Sequence, residues 1–168
     1  TQITIQEIKV DREGKTTTNQ IVIQAEDPLR LEIPSISVDT IVENPKSTNP
    51  EVLDAELTKG AVHYPGSGMP GSGNMFIFGH STGFSVVQNK AYKVFNEIKT
   101  LNAGDLIYVD AVAKTSTNSA LAGSTITKTF VYKVRDVTKV NKDDTLIKFD
   151  TTKNMLTLST CNSFGAKT

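Results

Sequence analysis

Apolar residues in this chain recur mostly at every second position, in short runs cut by turn residues. Ile3 and Ile5, then Ile8 and Val10, read as a first strand with an irregularity between the two pairs. Ile21 to Ile23 reads as a second short strand, and Leu29, Leu31 and Ile33 alternate as the next. Alternation of this kind sends one set of side chains to a core and the other to solvent, which is the signature of a half-buried β-strand. Asp11 to Lys15 carries a turn signal. Pro34 marks an edge or a bend, because proline has no N–H for a ladder. Ile36, Val38 and Ile41 follow. Leu106 to Val109, Thr125 to Val140 (a hairpin strand running into another) and Met155 to Thr160 complete the expected strands.

Helix signals are few. Residues 44–50 read as a loop, and Pro50 to Leu57 as one or two helical turns with Asn49 as cap and Pro50 at the first helical position. Residues 64–74 are dense in Gly and Pro and predict a turn-rich surface loop entering a buried strand over 75–79. Ala91, Val94, Phe95 and Ile98 have the spacing of a short amphipathic helix over 90–99. Many short strands with little helix predict an all-β fold, a closed barrel or a sandwich.

Composition narrows the function classes. A chain of 168 residues is long enough for one domain with a real core. Eighteen basic residues balance eighteen acidic ones, so there is no electrostatic footprint for nucleic acid or an anionic membrane. No stretch approaches the ~20 apolar residues of a membrane span. Signal-peptide features are absent at the start as given, so membrane attachment is expected only through an anchor absent here. Cys161 is the sole cysteine, which excludes an internal disulfide and zinc sites built on several thiolates. Frequent Thr, Asn, Ser and Lys, scarce Arg and many β-branched residues suit an exported β-rich bacterial protein.

Two residues carry the candidate chemistry. Cys161 ends the run Thr157-Leu158-Ser159-Thr160-Cys161, and Asn162 to Gly165 follow as a loop. His80 ends the run Met75 to His80, and Ser81-Thr82-Gly83 start another loop. Alone, a free cysteine is most often a small buried hydrophobe and a lone histidine a satisfied polar residue. Together they are more telling. A thiol attacks as thiolate, and a nearby imidazole either takes its proton or, as imidazolium, stabilises the anion. His63, in Ala61-Val62-His63-Tyr64-Pro65-Gly66, reads as a loop-placing residue or, with Ser81, as a cleft-lining one. His63, His80 and Cys161 match no compact metal motif, and the scattered acidic residues lack calcium-ligand spacing, so neither metal nor cofactor is expected.

These residues sit in a recognisable frame: the chain resembles the sortase family of cysteine transpeptidases. Pro28 to Asp39 looks like the family's early strand pair, and Gly60 to Ser67 like the loop before the histidine strand. Asn74 to Ser81 looks like the strand that delivers the histidine, and Leu101 to Asp105 like the turn before the next strand. Leu156 to Cys161 matches the signature of Thr-Leu, one variable residue, then Thr-Cys. The resemblance covers about residues 28–165 and leaves 1–27 as an N-terminal extension, a strand or hairpin, ahead of a domain over 28–168. It implies an eight-stranded β-barrel with one or two short helices. It also implies that Cys161 attacks the Thr–Gly amide of an LPXTG-like sorting signal to form a thioester. His80 would protonate the leaving amine and deprotonate the incoming one, and Thr160 would help to orient the substrate carbonyl. The thioester would be resolved by an amine of a cell-wall precursor or a pilin lysine, at the extracellular face of the membrane in a Gram-positive-type envelope.

One departure qualifies the likeness. Sortases carry an arginine on a strand after the cysteine loop, and here Arg12, Arg30 and Arg135 all precede Cys161. Lys167 lies on the right side but lacks the planar fork of arginine. The arginine role is therefore carried onto no residue. The favoured expectation is that the natural chain continues past Thr168 into the final strand. Two others stand beside it: a catalytically degenerate surface module, or replacement of the last strand by residues 1–27 of the same or a neighbouring molecule. A barrel lacking its last strand would leave an edge that invites strand-exchanged oligomers.

Overall fold

The computed structural model describes residues 3–10, 16–116, 125–139, 147–149 and 151–160. Eight strands among them form one sheet: β1 (Ile3–Val10), β2 (Thr16–Ile33), β3 (Val38–Glu43), β4 (Ala61–His63), β5 (Asn74–Phe78), β6 (Leu106–Ser116), β7 (Thr125–Lys133) and β8 (Met155–Ser159). The order is β7-β6-β2-β3-β4-β5-β8, with β1 paired to β2 off this path. The all-β expectation holds, and the seven-strand path curls into a half-barrel. Phe130 and Tyr132 of β7 and Leu156 and Leu158 of β8, from the two ends of that path, pack against the same core.

β2 is the spine. The two short strands expected at 21–23 and 29–33 are one element, continuous through Pro28. Pro28 is tolerated because the pairing with β6 slips on either side of it, between Ala25 and Pro28 and between Pro28 and Arg30. Such bulges are where a strand can carry a proline that donates no hydrogen bond. Val22 and Ile23 pair with both β1 and β6, and Arg30 with both β3 and β6. β1 and β3 therefore lie end to end on one edge of β2. β1 runs through eight consecutive pairs without the irregularity expected in it. The turn expected at Asp11–Lys15 lies outside the described residues.

Pro34 does make a bend: Pro34–Ile36 is a single 3-10 turn closed by Ser37, which adopts φ 53° and donates its N–H to the Pro34 carbonyl. The helix α1 (Pro50–Leu57) starts as expected, with Asn49 Oδ1 accepting from the Glu51 N–H at 2.9 Å. Residues 61–63, expected as loop, form β4, a strand too short to show a period. β7 ends at Lys133, so residues 134–139 do not continue the strand expected to reach Val140.

The helix expected over 90–99 is absent. In its place are 3-10 turns at Lys90–Lys93 and Ile98–Thr100. The apolar side chains still face inward, with Ala91 and Phe95 buried and Val94 and Ile98 packed on the core. What differs is the backbone. An α-helix would send the Phe95 N–H to the Ala91 carbonyl, but that N–H is given to His80 O at 2.9 Å, and Ala91 O takes Val94 N–H instead.

The core is the inward set of the alternation: Leu31 and Ile33 of β2, Val38 and Val42 of β3, Met75 and Ile77 of β5, Ile107 and Val109 of β6, with Phe95 and Leu101 from the connection. Each fully buried side chain of this size contributes roughly 1.5–3 kcal/mol. Phe76 and Phe78 point to the opposite face of β5, where they form a cluster with Tyr64 and Phe149 whose neighbouring ring centroids lie between 5.6 and 6.3 Å apart.

Candidate active site

The site is built on a parallel pair. β5 and β8 run side by side from Asn74 opposite Met155 to Phe78 opposite Ser159. Parallel neighbours deliver their following residues at the same end of the sheet, and the pairing persists past the strands. Gly79 N–H donates to Ser159 O at 3.1 Å, and Thr160 Oγ1 donates to Gly79 O at 2.7 Å. Met75, Ile77, Leu156 and Leu158 turn to the core, and a one-residue slip of β8 would exchange its two leucines there for Thr157 and Ser159.

Asn74 locks the pair at its start. Its buried side chain accepts from Thr157 Oγ1 at 2.8 Å and donates to Lys148 O at 3.1 Å. Its N–H goes to Phe149 O at 3.1 Å, and its carbonyl accepts from Gly68 N–H at 2.8 Å. One residue thus ties β5 to β8, to the stretch before β8 and to the loop before β5.

His80 is half-buried and held from the connection that follows it. Its carbonyl accepts the Phe95 N–H, and two residues on Thr82 makes a reciprocal pair with Asn96: Thr82 N–H to Asn96 Oδ1 at 2.8 Å and Asn96 Nδ2 to Thr82 O at 3.1 Å. Gly79 makes the close approach possible. A Cβ there would stand 2.8 Å from both Phe95 Cδ2 and Val94 Cγ1. The His80 imidazole stacks on the ring of Tyr92, with centroids 5.1 Å apart and planes inclined by 27°. Ser81, next to it, is half-buried.

His63 sits elsewhere in the scaffold. It is 6% exposed, with Nδ1 3.1 Å from Asn44 Oδ1 and Nε2 2.9 Å from Gly68 O. Asn44 is oriented by donating Nδ2 to Pro28 O and Val42 O, so its oxygen faces the ring. Loss of water around the ring lowers the His63 pKa. The Gly68 carbonyl and the Asp27 carboxylate oppose that shift, and Lys46 adds to it. The ring pins the loop before β5 to the end of β3.

Cys161 lies outside the described residues, as do Arg12 and Lys167. The two described arginines are both engaged with carboxylates. Arg30 grips Asp39 through Nε and Nη2 at 2.7 and 2.8 Å, with Glu32 and Asp110 within 3.6 Å. Its pKa is raised by Asp39 first of all. Arg135 pairs with Asp136 at 3.0 Å. Among the described residues, no three His, Cys, Asp or Glu side chains gather as a metal site, and no helix is long and apolar enough to cross a membrane.

The structure thus brings His80 and Thr160 to one end of the β5–β8 pair and keeps His63 in a separate, loop-holding position. Tyr92, Asn96 and Asn74 were missed by sequence reasoning. Tyr92 and Asn96 fall inside a stretch whose period points only to the buried face, and Asn74 reads as the last polar residue of a loop.

A family model described as a sortase domain matches residues 31–168. Among curated proteins no match was found. Sortase A from Corynebacterium diphtheriae aligns at 22% identity and TM-score 0.54, over 84% of this chain and 55% of that one. Its lid mutant aligns at 23% identity and TM-score 0.54, over 84% and 64%. Sortase C1 of Streptococcus agalactiae, solved as a complex with MTSET, aligns at 20% identity and TM-score 0.54, over 82% and 61%. At these identities the likeness is one of fold, and the chain spans 55% to 64% of the length of these structures.

Proposed function

This chain belongs to the sortase family, and from that premise we propose that it is a cysteine transpeptidase in which Cys161 and His80 are the reacting pair. The observation that carries the reading is the equal offset in sequence of the two residues from the last pair of a parallel ladder. His80 lies two positions past Phe78, Cys161 two positions past Ser159, and Phe78 and Ser159 are paired. The described pairing stays in step through Gly79 and Thr160, and this equal offset supports a reading in which the imidazole takes the thiol proton or, as imidazolium, stabilises the thiolate.

In this mechanism the Cys161 thiolate attacks the Thr–Gly carbonyl of an LPXTG-like sorting signal. The tetrahedral intermediate collapses as His80 gives a proton to the departing glycine amine, leaving a thioester on Cys161. An incoming amine, from a cell-wall precursor or a pilin lysine, loses its proton to His80 and displaces the thiolate. Atoms balance: one amide is exchanged for another with no redox step. Thr160, anchored through its hydroxyl to the Gly79 carbonyl, orients the substrate carbonyl. The catalytic domain starts near residue 28, with β1 and the first half of β2 as its N-terminal extension, and works at the outer face of the cell membrane.

The test is intact-protein mass spectrometry after incubation with peptides carrying Leu-Pro-X-Thr-Gly, where X is Glu, Ala, Lys or Asp. An adduct equal to the peptide up to its threonine, absent in Cys161→Ala and strongly reduced in His80→Ala, is expected. If no peptide adds to Cys161 and the thiol alkylates no faster than free cysteine, the chain is a non-catalytic surface module with the sortase scaffold.

A further inference from the structure

We propose that Tyr92 is the positioning residue of the His80 imidazole, a role that rests on the transpeptidase reading above. The two rings stack at 5.1 Å between centroids with a 27° inclination. That separation is in the range where aromatic pairs attract beyond the area they bury. Tyr92 is 41% exposed, so its ring is not required to fill the core, and another reason is needed for its rigid mounting.

That mounting is specific. Tyr92 sits in the turn Lys90–Lys93, which is capped by Asn89 Oδ1 accepting from Ala91 N–H at 2.9 Å. Asn89 Nδ2 in turn donates to Thr58 O at 2.6 Å, fastening the turn to the residue that ends α1. Buried Ala91 and Phe95 flank Tyr92, and Phe95 N–H holds the His80 carbonyl at 2.9 Å. The backbones of His80 and Tyr92 are therefore linked through one short, pinned segment.

The consequence is orientational. The terminal torsion of a histidine is broad, so an unsupported imidazole samples many ring planes. Proton transfer needs heavy atoms within about 2.6–3.2 Å and aligned. A ring covered on its face keeps both nitrogens at its edge. Tyr92 thus removes ring rotation while leaving the proton-carrying atoms available, and the order exists before substrate arrives.

The test uses the full chain as wild type, Tyr92→Phe and Tyr92→Ala. Only His63 and His80 contribute imidazole signals, and His80→Gln assigns them in proton–carbon NMR spectra. The His80 ring protons are expected to resonate upfield in wild type and Tyr92→Phe and to lose that ring-current shift in Tyr92→Ala. In single-turnover acylation with a Leu-Pro-Glu-Thr-Gly peptide, Tyr92→Ala is expected to be about two- to tenfold slower, with peptide binding unchanged and the rate restored in Tyr92→Phe. Identical His80 resonances in all three proteins, or equal acylation rates in wild type and Tyr92→Ala, overturn the positioning role alone. A wild type that forms no acyl-enzyme overturns the transpeptidase reading and this role with it, while the resonances still report whether the stack exists.

Discussion

Phe95 gives its backbone N–H to the carbonyl of His80 at 2.9 Å. This one bond joins the end of the histidine strand to a segment fifteen residues downstream and diverts that segment from an α-helix into 3-10 turns. It also brings Phe95 and Val94 so near Gly79 that no side chain fits there.

Gly79→Ala tests that closeness. The new methyl must displace the Phe95 ring or Val94, and overpacking of this kind costs about 1–3 kcal/mol. The expected outcome is a lower Tm together with acylation slowed beyond what the Tm change explains, because His80 moves with the displaced segment. Thermal melts and single-turnover acylation at a temperature where both proteins are folded measure the two effects. A Gly79→Ala protein with wild-type values of both contradicts the packing.

Asn74→Ala removes two side-chain hydrogen bonds, one from the half-buried Thr157 hydroxyl and one to the carbonyl of exposed Lys148. Each such bond contributes about 0.5–1.5 kcal/mol, so a loss of roughly 1–3 kcal/mol is expected in urea unfolding. Asn74→Asp is expected to keep the acceptor for Thr157, lose the donor to Lys148 and destabilise as well. Hydrogen exchange should show the amides of β8 losing protection first, since its partner strand no longer holds its start.

His63 gives the pH dependence a sign. Its pKa in the folded state is depressed by burial below the ordinary 6.5, with Asp27 opposing and Lys46 reinforcing. Below about 6.5 the unfolded chain therefore binds a proton that the folded one resists, and stability falls as pH falls. At neutral pH and above, the group contributes no slope. Urea unfolding of wild type and His63→Gln from pH 8 to 5 should show the wild type losing stability relative to the variant only in the acidic half, with a slope no steeper than the ~1.4 kcal/mol per pH unit of one proton. A difference that is flat across the range removes His63 as the titrating group.

Legibility in the sequence followed the range of the interactions. α1 was readable because Asn49 and Pro50 act on their immediate neighbours. β5 was readable as a continuous apolar run, Met75 to Phe78, bounded by turn residues, and β8 by the alternation of Leu156 and Leu158. β2 was read as two strands because Pro28 looks like a breaker, and only its partner β6 reveals the bulge that accommodates it. The helix expected at 90–99 failed for a similar reason: the spacing gives the buried face correctly, but the N–H of Phe95 is claimed by a residue far away in sequence. Tyr92 was invisible because an exposed aromatic in a turn carries no periodic signal; its partner is assigned only by the way the connection folds back over His80.

The parallel pairing of β5 with β8 also fixes what is free to vary. Gly79 and Thr160 are 81 positions apart in the chain yet joined by a 2.7 Å hydrogen bond. Their spacing is set by five matched residues on each strand, not by the length of what lies between. Loop closure grows only slowly more costly with added residues, so the number of residues between β7 and Lys148 can change with little effect on the ends of the two strands, while Lys148 and Phe149 stay as the anchors of Asn74. A single residue inserted inside β5 or β8 would instead exchange inner and outer faces from that point on. Two five-residue strands thus act as the gauge of the site, and the connection beyond β7 is where new specificity can be added without recalibrating it.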